Sequence, residues 1–260
     1  MPVQLSREGR VAIIVMDRPE ARNAMNREMT EQLNTTYDEL AGDEAVWAVV
    51  LTGAGDRAFC AGQDLKEVEA AVKQAESGAA PRGASGGFGG ITHRDFPKPI
   101  IAAVNGFAMG GGFEICLACD LVVAEEHASF GLPEVKRGLF AGAGGLVRIS
   151  KRLPMPLAME VALTGQPLGA QRAYELGLVN RVVPKGEGVR AAVELANVIC
   201  QAAPLAVRVS KKMLRTGVLQ GEAELWALQA QLGAELMRSE DFLEGPRAFV
   251  EKRAPQWKGR

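Results

Sequence analysis

Three consecutive glycines followed by an acid form the clearest chemical pattern in this chain. Gly110, Gly111 and Gly112 follow the apolar run IIAAVNGFAM, and Glu114 comes soon after them in the helical-looking stretch FEICLACD. Glycine lets a ligand approach the main chain closely. A helix that starts here presents unpaired N–H groups and the positive end of its dipole. The pattern therefore predicts a site for an anion or a developing oxyanion, with tight strand–helix packing as the structural alternative.

A second candidate acid lies in similar surroundings further along the chain. Glu134 stands among apolar residues and glycines in SFGLPEVKRGLF. Each acid has a simpler interpretation, because a carboxylate at the start of a helix interacts favourably with the helix dipole. Two carboxylates that flank a glycine-built anion site would instead form a general acid/base pair.

Other chemistries find little support. The segment from Gly53 to Ala58 matches G-x-G-x-x-A, but no helix opens there and the following acid is misplaced for a dinucleotide. Cys116 and Cys119 form a C-x-x-C without a second pair or a nearby histidine, so we expect core thiols and no metal site. Gly83 to Gly87 match G-x-S-x-G, but they lie in a Gly/Ala/Ser-rich stretch and not between a strand and a helix, so a serine hydrolase is unsupported.

The bulk composition limits the partners. The chain has 260 residues, with 30 Lys and Arg against 31 Asp and Glu. This balance provides no field for nucleic acid or an anionic membrane. The apolar runs are shorter than a membrane span, the first residues lack the order of a signal peptide, and the cysteines are few. We expect a cytoplasmic protein with reduced thiols.

Hydrophobic periodicity predicts an α/β fold. A hairpin around SREGR, a helix with Met29, Leu33, Tyr37 and Leu40 on one face, and strands near 46–52, 100–104, 121–124 and 179–183 are indicated. Only helices are expected from about Gly186 onward, so we divide the chain into a core, 1–185, and a helical region, 186–260. The Gly/Ala/Ser-rich stretch 77–90 is predicted to be a mobile flap.

Several segments together resemble the crotonase superfamily, which includes enoyl-CoA hydratases and isomerases, over nearly the whole chain. They are RPEARNAMN, AFCAGQDLKE, PIIAAVNGFAMGGGFEICLACD, ASFGLPEVKRGLFAGAGG, ALTGQPLGAQRAYELGLVNRVVP and the closing AFVEKRAPQWKG. The resemblance implies a spiral of ββα units with a C-terminal helical region. It departs from many hydratases at Ala141–Leu146, which replaces Pro-Gly-x-Gly-Gly-Thr beside the acyl pocket.

The same resemblance implies roles for individual residues. The main-chain N–H groups of Gln63 and Gly111 form the oxyanion hole, and Glu114 and Glu134 match the two catalytic glutamates of hydratases. Lys252 matches a tail lysine that reaches the CoA nucleotide of a neighbouring subunit. The residues expected to bind the acyl-CoA substrate are Ala61, Gly62, Gln63, Asp64, Gly111 and Lys252.

The sequence therefore predicts an enoyl-CoA hydratase that needs no cofactor, because coenzyme A is part of the substrate. Isomerase, dehalogenase, decarboxylase and thioester hydrolase are alternatives within the superfamily, and an acyl-CoA-binding protein is the alternative without catalysis. The helices after Gly186 carry apolar faces that a small appendage cannot bury alone. We expect a trimer or a dimer of trimers. The apolar residues concerned are Leu195, Val198, Leu214, Leu225, Leu232 and Leu236.

Overall fold

The computed structural model describes residues 1–64, 67 and 85–260. The strands are β1 Val3–Glu8, β2 Val11–Met16, β3 Ala48–Gly53, β4 Ala58–Cys60, β5 Ile100–Val104, β6 Phe107–Met109, β7 Leu121–Glu125, β8 Ser129–Gly131, β9 Leu168–Gly169 and β10 Arg181–Val183. The α-helices are α1 Arg27–Gly42, α2 Gly111–Ala118, α3 Gly145–Arg152, α4 Met155–Thr164, α5 Ala170–Glu175, α6 Gly188–Cys200, α7 Pro204–Gly217, α8 Glu222–Leu236 and α9 Glu240–Val250. Short 3-10 helices occur at Pro19–Ala21, Phe88–Gly90 and Pro133–Arg137.

The larger sheet has six strands in the order β1-β2-β3-β5-β7-β10. All neighbouring pairs are parallel except the β1–β2 hairpin, which confirms the predicted hairpin. The predicted polar loop is shorter than expected, because β1 continues to Glu8 opposite Val11. The polar residues fit there because β1 is an edge strand whose later positions face solvent.

The smaller sheet has the order β4-β6-β8-β9. The chain passes from the larger sheet to the smaller one three times, from β3 to β4, from β5 to β6 and from β7 to β8. Each pass adds one parallel strand to each sheet. Helix α2 follows β6, and the 3-10 helix at Pro133–Arg137 and then α3 follow β8. This is the predicted spiral of strand–strand–helix units.

The main core contains side chains from both sheets and from the helices that cover them. Met29, Leu33, Tyr37 and Leu40 of α1 are buried, as the helical spacing predicts. Asn26 caps this helix, since its side chain accepts a hydrogen bond from the Met29 N–H at 2.9 Å. Burial of these apolar faces is the main force that holds the helices against the sheets.

Helix α6 covers the other face of the larger sheet. Its small residues Ala191, Ala192, Val193 and Ala196 are buried against a second apolar cluster of strand residues. The alanines allow close approach of helix and sheet. The first helix of the region 186–260 thus packs directly on the sheet, and the division of the chain at 185/186 stays a prediction.

The predicted flap lies partly outside the described residues, since 77–84 are not among them. The rest of it, 85–90, contains the 3-10 helix Phe88–Gly90 and packs on α1. Gly89 and Gly90 are buried there. The mobility of the stretch stays a prediction for 77–84, whereas its end is built into the core.

No single helix among the described residues is both long and apolar enough to cross a membrane. Helices α6 and α7 reach the required length only as a pair, by length and composition alone, and that pair is bent by 107°.

Candidate active site

Three loops of the candidate site leave the same edge of the smaller sheet. Strands β4, β6 and β8 are parallel neighbours, so their carboxyl ends lie side by side. The loop Ala61–Asp64 follows β4, the glycines of α2 follow β6, and the turn that carries Glu134 follows β8. Parallel pairing therefore brings together residues that are far apart in the sequence, at the edge where open α/β sheets commonly bind ligands.

The loop after β4 is held by main-chain hydrogen bonds to the segment before α1. The Ala61 N–H donates to the Arg22 carbonyl at 3.1 Å. The Met25 N–H donates to the Gly62 carbonyl at 2.8 Å, and the Asp64 N–H donates to the Met25 carbonyl at 2.9 Å. These bonds hold the loop beside the start of α1, although Gly62 at its centre has φ +97° and forms a bend.

This pairing also determines the direction of the Gln63 main chain. Gln63 forms a parallel bridge with Met25, in which Gly62 and Asp64 make the hydrogen bonds. The Gly62 carbonyl and the Gln63 N–H belong to one trans peptide group, so they point to opposite sides. The Gln63 N–H therefore points away from Met25, and the residue itself is exposed.

Helix α2 starts where the chain has no room for side chains. A Cβ on Gly112 would lie 2.1 Å from the Cys60 carbonyl oxygen, so α2 contacts the end of β4 directly. Gly110 has φ +55°, which glycine adopts readily. A Cβ on Gly62 would lie 3.4 Å from the Gly111 nitrogen, which places the two loops in contact. Because Gly111 is the first residue of α2, no acceptor within the helix is available to its N–H.

Glu114 lies in the first turn of α2 and is only 3% exposed. One carboxylate oxygen, Oε1, accepts a hydrogen bond from the Gly145 N–H at 2.7 Å. Burial raises the pKa of Glu114, and the negative charge of Glu134 raises it further. The Gly145 hydrogen bond acts in the opposite direction and favours the ionised form.

Glu134 approaches the same glycines from the turn after β8. Its Oε1 lies 2.8 Å from the position that a Cβ on Gly110 would occupy. Gly110 also contacts the other acid, because its carbonyl accepts the Glu114 N–H at 3.0 Å. The second oxygen of Glu134, Oε2, is buried and has no hydrogen-bond partner among the residues that the structure describes. Burial raises the pKa of Glu134 above its ordinary value.

Sequence reasoning missed the residues that hold these groups in place. Arg18 pairs with the Asp64 carboxylate at 3.0 Å and donates to the Ala24 carbonyl at 2.6 Å. The buried Asn23 accepts the Arg18 N–H at 3.0 Å. These residues belong to the segment RPEARNAMN, which resembles a family motif. The role of Gly145 as hydrogen-bond donor to Glu114 had no signal beyond the glycine-rich stretch around it.

The remaining candidates lie elsewhere. Lys252 follows α9 and is exposed, so its place near a ligand depends on a neighbouring subunit and stays a prediction. The predicted core thiols Cys116 and Cys119 are buried, and burial raises the pKa of both, to about 12 for Cys119. Within residues 1–64, 67 and 85–260, no cluster of three or more His, Cys, Asp or Glu could hold a metal ion.

The fold and this arrangement correspond to a known class of protein. A model of the family "Enoyl-CoA hydratase/isomerase" matches residues 6–260. The chain therefore belongs to this family and to the crotonase superfamily, as the sequence motifs predict.

Individual relatives give more detail. The chain is 40% identical to a carnitinyl-CoA dehydratase of Proteus mirabilis, over 99% of this chain and 98% of that protein. It resembles an enoyl-CoA hydratase of Mycobacterium tuberculosis with 41% identity and a TM-score of 0.90, over 100% and 99% of the two chains. A carnitinyl-CoA hydratase of Mycobacterium avium is 47% identical with a TM-score of 0.76, over 100% and 99%.

Proposed function

We propose that this protein adds water across the 2,3 double bond of a 2-enoyl-CoA thioester and catalyses the reverse dehydration. The observation that supports this best is the meeting of Glu114 and Glu134 at the amino end of α2. Both acids have raised pKa values, the charge of Glu134 contributes to the raised pKa of Glu114, and the Glu134 Oε1 lies beside Gly110 at the start of the helix that carries Glu114. Raised carboxyl pKa values beside an anion-binding backbone are typical of acid/base catalysis.

The thioester oxygen would be held by the main-chain N–H groups of Gln63 and Gly111. The pairing with Met25 turns the Gln63 N–H away from the first segment, and Gly111 provides the first N–H of α2. Negative charge builds on this oxygen as water adds to C3. Comparable donors in acyl-transfer enzymes contribute roughly 3 kcal/mol each to transition-state stabilisation.

The two glutamates divide the proton transfers. Glu114, oriented by Gly145, accepts a proton from water while the water oxygen bonds to C3. Glu134, whose raised pKa favours the protonated form, delivers its proton to C2. The proton on Glu114 then returns to Glu134, for example through the next water molecule, and the enzyme is restored. No metal or redox cofactor takes part in these steps, and coenzyme A enters as part of the substrate.

The substrate itself is bound mainly by the backbone of Ala61–Asp64 and by Gly111. The loop Ala61–Asp64 is tied to the segment before α1, so it offers a fixed edge to the thioester. Lys252 extends this site to the CoA nucleotide of a neighbouring subunit.

Dehydration of carnitinyl-CoA is a second candidate. The relatives named carnitinyl-CoA dehydratase match almost the full length of the chain at 40% identity. The same two acids serve this reaction, since loss of water from a 3-hydroxyacyl thioester is the reverse of hydration. An isomerase needs only one of the two acids to move a proton between carbons, and this leaves the second buried carboxylate unexplained.

We also infer that the chain forms a homo-oligomer, a trimer or a dimer of trimers. Several large apolar side chains on α7 to α9 and the residues that join them are exposed in the single chain. They are Leu214, Val218, Leu219, Trp226, Leu243, Phe249 and Val250. Association with further copies of the chain would remove this apolar surface from water. A stable, active monomer at micromolar concentration in light scattering would contradict this inference.

A substrate panel tests the activity. Crotonyl-CoA and carnitinyl-CoA are offered to the purified protein, and the absorbance of the conjugated thioester is followed together with product analysis. Hydration of crotonyl-CoA to the 3-hydroxyacyl ester is expected, and turnover of carnitinyl-CoA alone would select the second candidate. Isomerisation of a 3-enoyl-CoA without any hydration would overturn the proposal.

A further inference from the structure

We propose that Phe88 sets the size of the acyl group that the site accepts, an inference that rests on the proposed function. Phe88 is the first residue of the 3-10 helix Phe88–Gly90 and is partly buried against the main core. Its ring lies directly beside the first residue of α2. Neither the sequence motifs nor the acid/base pair gives this side chain a role.

The ring lies close to the candidate oxyanion hole. A Cβ on Gly111 would lie 2.4 Å from both Cε1 and Cζ of Phe88. A Cβ stands about 2.5 Å from the nitrogen of its own residue, so the edge of the ring is within about 5 Å of the Gly111 nitrogen. A thioester whose oxygen accepts the Gly111 N–H therefore lies next to this ring. We infer that the acyl chain runs from the carbonyl carbon toward this ring.

The backbone that follows Phe88 is packed too closely to move away from the site. A Cβ on Gly89 would lie 2.6 Å from the Ile115 Cδ1 of α2. A Cβ on Gly90 would lie 3.0 Å from the Asn34 nitrogen of α1. The turn is thus wedged between the two helices, and small residues are what allow it to fit.

Polar contacts fix the same turn from the side of α1. The Asn34 side-chain oxygen accepts hydrogen bonds from the Gly86 N–H at 3.1 Å and from the Arg94 guanidinium at 2.9 Å. Arg94 also donates to the Gly90 carbonyl at 2.8 Å and forms an ion pair with Asp38. These bonds enclose both ends of the 3-10 helix. The backbone that carries Phe88 is therefore held in place, so the ring forms a wall beside the candidate oxyanion hole, and we expect short acyl groups to be preferred.

The test compares a long and a short substrate within each protein. The kcat/KM for trans-2-decenoyl-CoA is divided by that for crotonyl-CoA in the wild type, in Phe88→Ala and in Phe88→Trp. A single extra or missing methylene group in an apolar pocket changes the discrimination between two substrates by about 10–200-fold. We expect the ratio to rise at least tenfold in Phe88→Ala and to fall in Phe88→Trp.

Phe96→Leu is the matched control, because Phe96 is a buried ring of the core that packs edge-on against Tyr37 at 5.6 Å. It should lower Tm and leave the substrate ratio unchanged. An unchanged ratio in a folded Phe88→Ala overturns the inference while the hydratase activity stands. If Phe88→Ala does not fold, Phe88→Leu is judged on the same ratio.

A binding measurement separates this inference from the proposed function. If the wild type hydrates neither substrate, the proposed function fails, and the pocket is then measured by calorimetry with butyryl-CoA and decanoyl-CoA. Tighter decanoyl-CoA binding by Phe88→Ala, relative to butyryl-CoA, still supports Phe88 as the size limit. Equal relative binding in both proteins contradicts it.

Discussion

The two ends of helix α2 differ in how the charged groups near them are paired. At the amino end, Glu114 accepts hydrogen bonds from main-chain groups, Gly145 first, and one oxygen of the neighbouring Glu134 has no hydrogen-bond partner among the described residues. At the carboxyl end, Arg152 donates to the Cys119 carbonyl at 2.6 Å and Arg215 donates to the Ala118 carbonyl. Positive charge at a helix carboxyl end is stabilising.

The acid at the carboxyl end is fully paired. Asp120 contacts Lys211 at 2.7 Å and Arg215 at 2.8 Å, and it also accepts the Ile100 N–H at 2.8 Å. Both cations come from α7, so the C-terminal helices hold the far end of the helix that carries Gly111 and Glu114. The difference teaches that this chain satisfies buried charge where only stability is required. It leaves charge unsatisfied where the proposed chemistry takes place.

The largest expected effect concerns the two acids at the amino end of α2. Glu114→Gln and Glu134→Gln keep size and hydrogen-bonding capacity but cannot exchange protons, so each should lower kcat for crotonyl-CoA at least ~100-fold. Acyl-CoA binding should change little, because the backbone donors remain. The double variant should be scarcely worse than the poorer single variant, since groups that act as a unit are not additive. Hydration near the wild-type rate in Glu114→Gln would refute the division of roles.

Loss of the negative charge at the carboxyl end of α2 should lower stability and leave activity unchanged. Asp120→Asn leaves Lys211 and Arg215 without their carboxylate, and because this ion pair is only partly buried its loss should cost about 2–3 kcal/mol, below the range for a fully buried pair. Urea unfolding measures the loss, and kcat per folded molecule should stay close to the wild type. The control is Asp95→Asn, which breaks an exposed pair with Lys212 on the same helix and should cost less than about 1 kcal/mol. Equal losses in both variants would show that burial does not distinguish them.

A smaller effect is expected from the backbone contact that places α2. In Gly112→Ala the new Cβ meets the Cys60 carbonyl, and such overpacking costs about 1–3 kcal/mol. Tm, measured by thermal unfolding, and kcat should both fall, because a shift of α2 displaces Gly111 and Glu114. Gly233→Ala is the control: nothing lies within 4 Å of its Cβ position inside α8, so it should be neutral or slightly stabilising.

The smallest effect links the unsatisfied acid to pH. Burial raises the pKa of Glu134 above its value in the unfolded chain, so the folded protein holds this proton more tightly. That contribution is complete below the unfolded pKa and is lost as pH rises through the folded pKa. Glu134→Gln cannot ionise, so it should gain Tm over the wild type at pH 8 and little at pH 4. A gain that does not change with pH would exclude ionisation of Glu134 as its cause.

Much of the fold could be predicted from local patterns. The spacing of Met29, Leu33, Tyr37 and Leu40 indicated α1, and the β-branched runs indicated β3, β5 and β7. The smaller sheet was not predicted from periodicity, because β4, β6 and β8 have only three residues each. Such short strands carry too little alternation to be recognised. The spiral came from the family resemblance.

The residues of the candidate site were proposed from the sequence, whereas the residues that hold them in place were not. The glycines before Glu114 indicated an anion site by residue type alone, and the turn after Pro133 placed Glu134 at a helix start. Nothing in the local sequence indicated that Gly145 donates to Glu114 or that Phe88 lies against Gly111. Both contacts join segments that are remote in the chain.

The sequence by itself determined which chemical groups this protein has: a helix that begins with bare N–H groups, two acids in apolar surroundings, and a family. It could do so because glycine conformation, helix dipoles and apolar periodicity act over a few residues. Only the tertiary structure decided that the ends of β4, β6 and β8 meet and that Asp120 has two cations. It also decided that Glu134 has a buried oxygen without a hydrogen-bond partner in the described part of the chain. Burial and pairing depend on which remote segments pack together, and a local stretch of sequence does not show which distant segments will contact it.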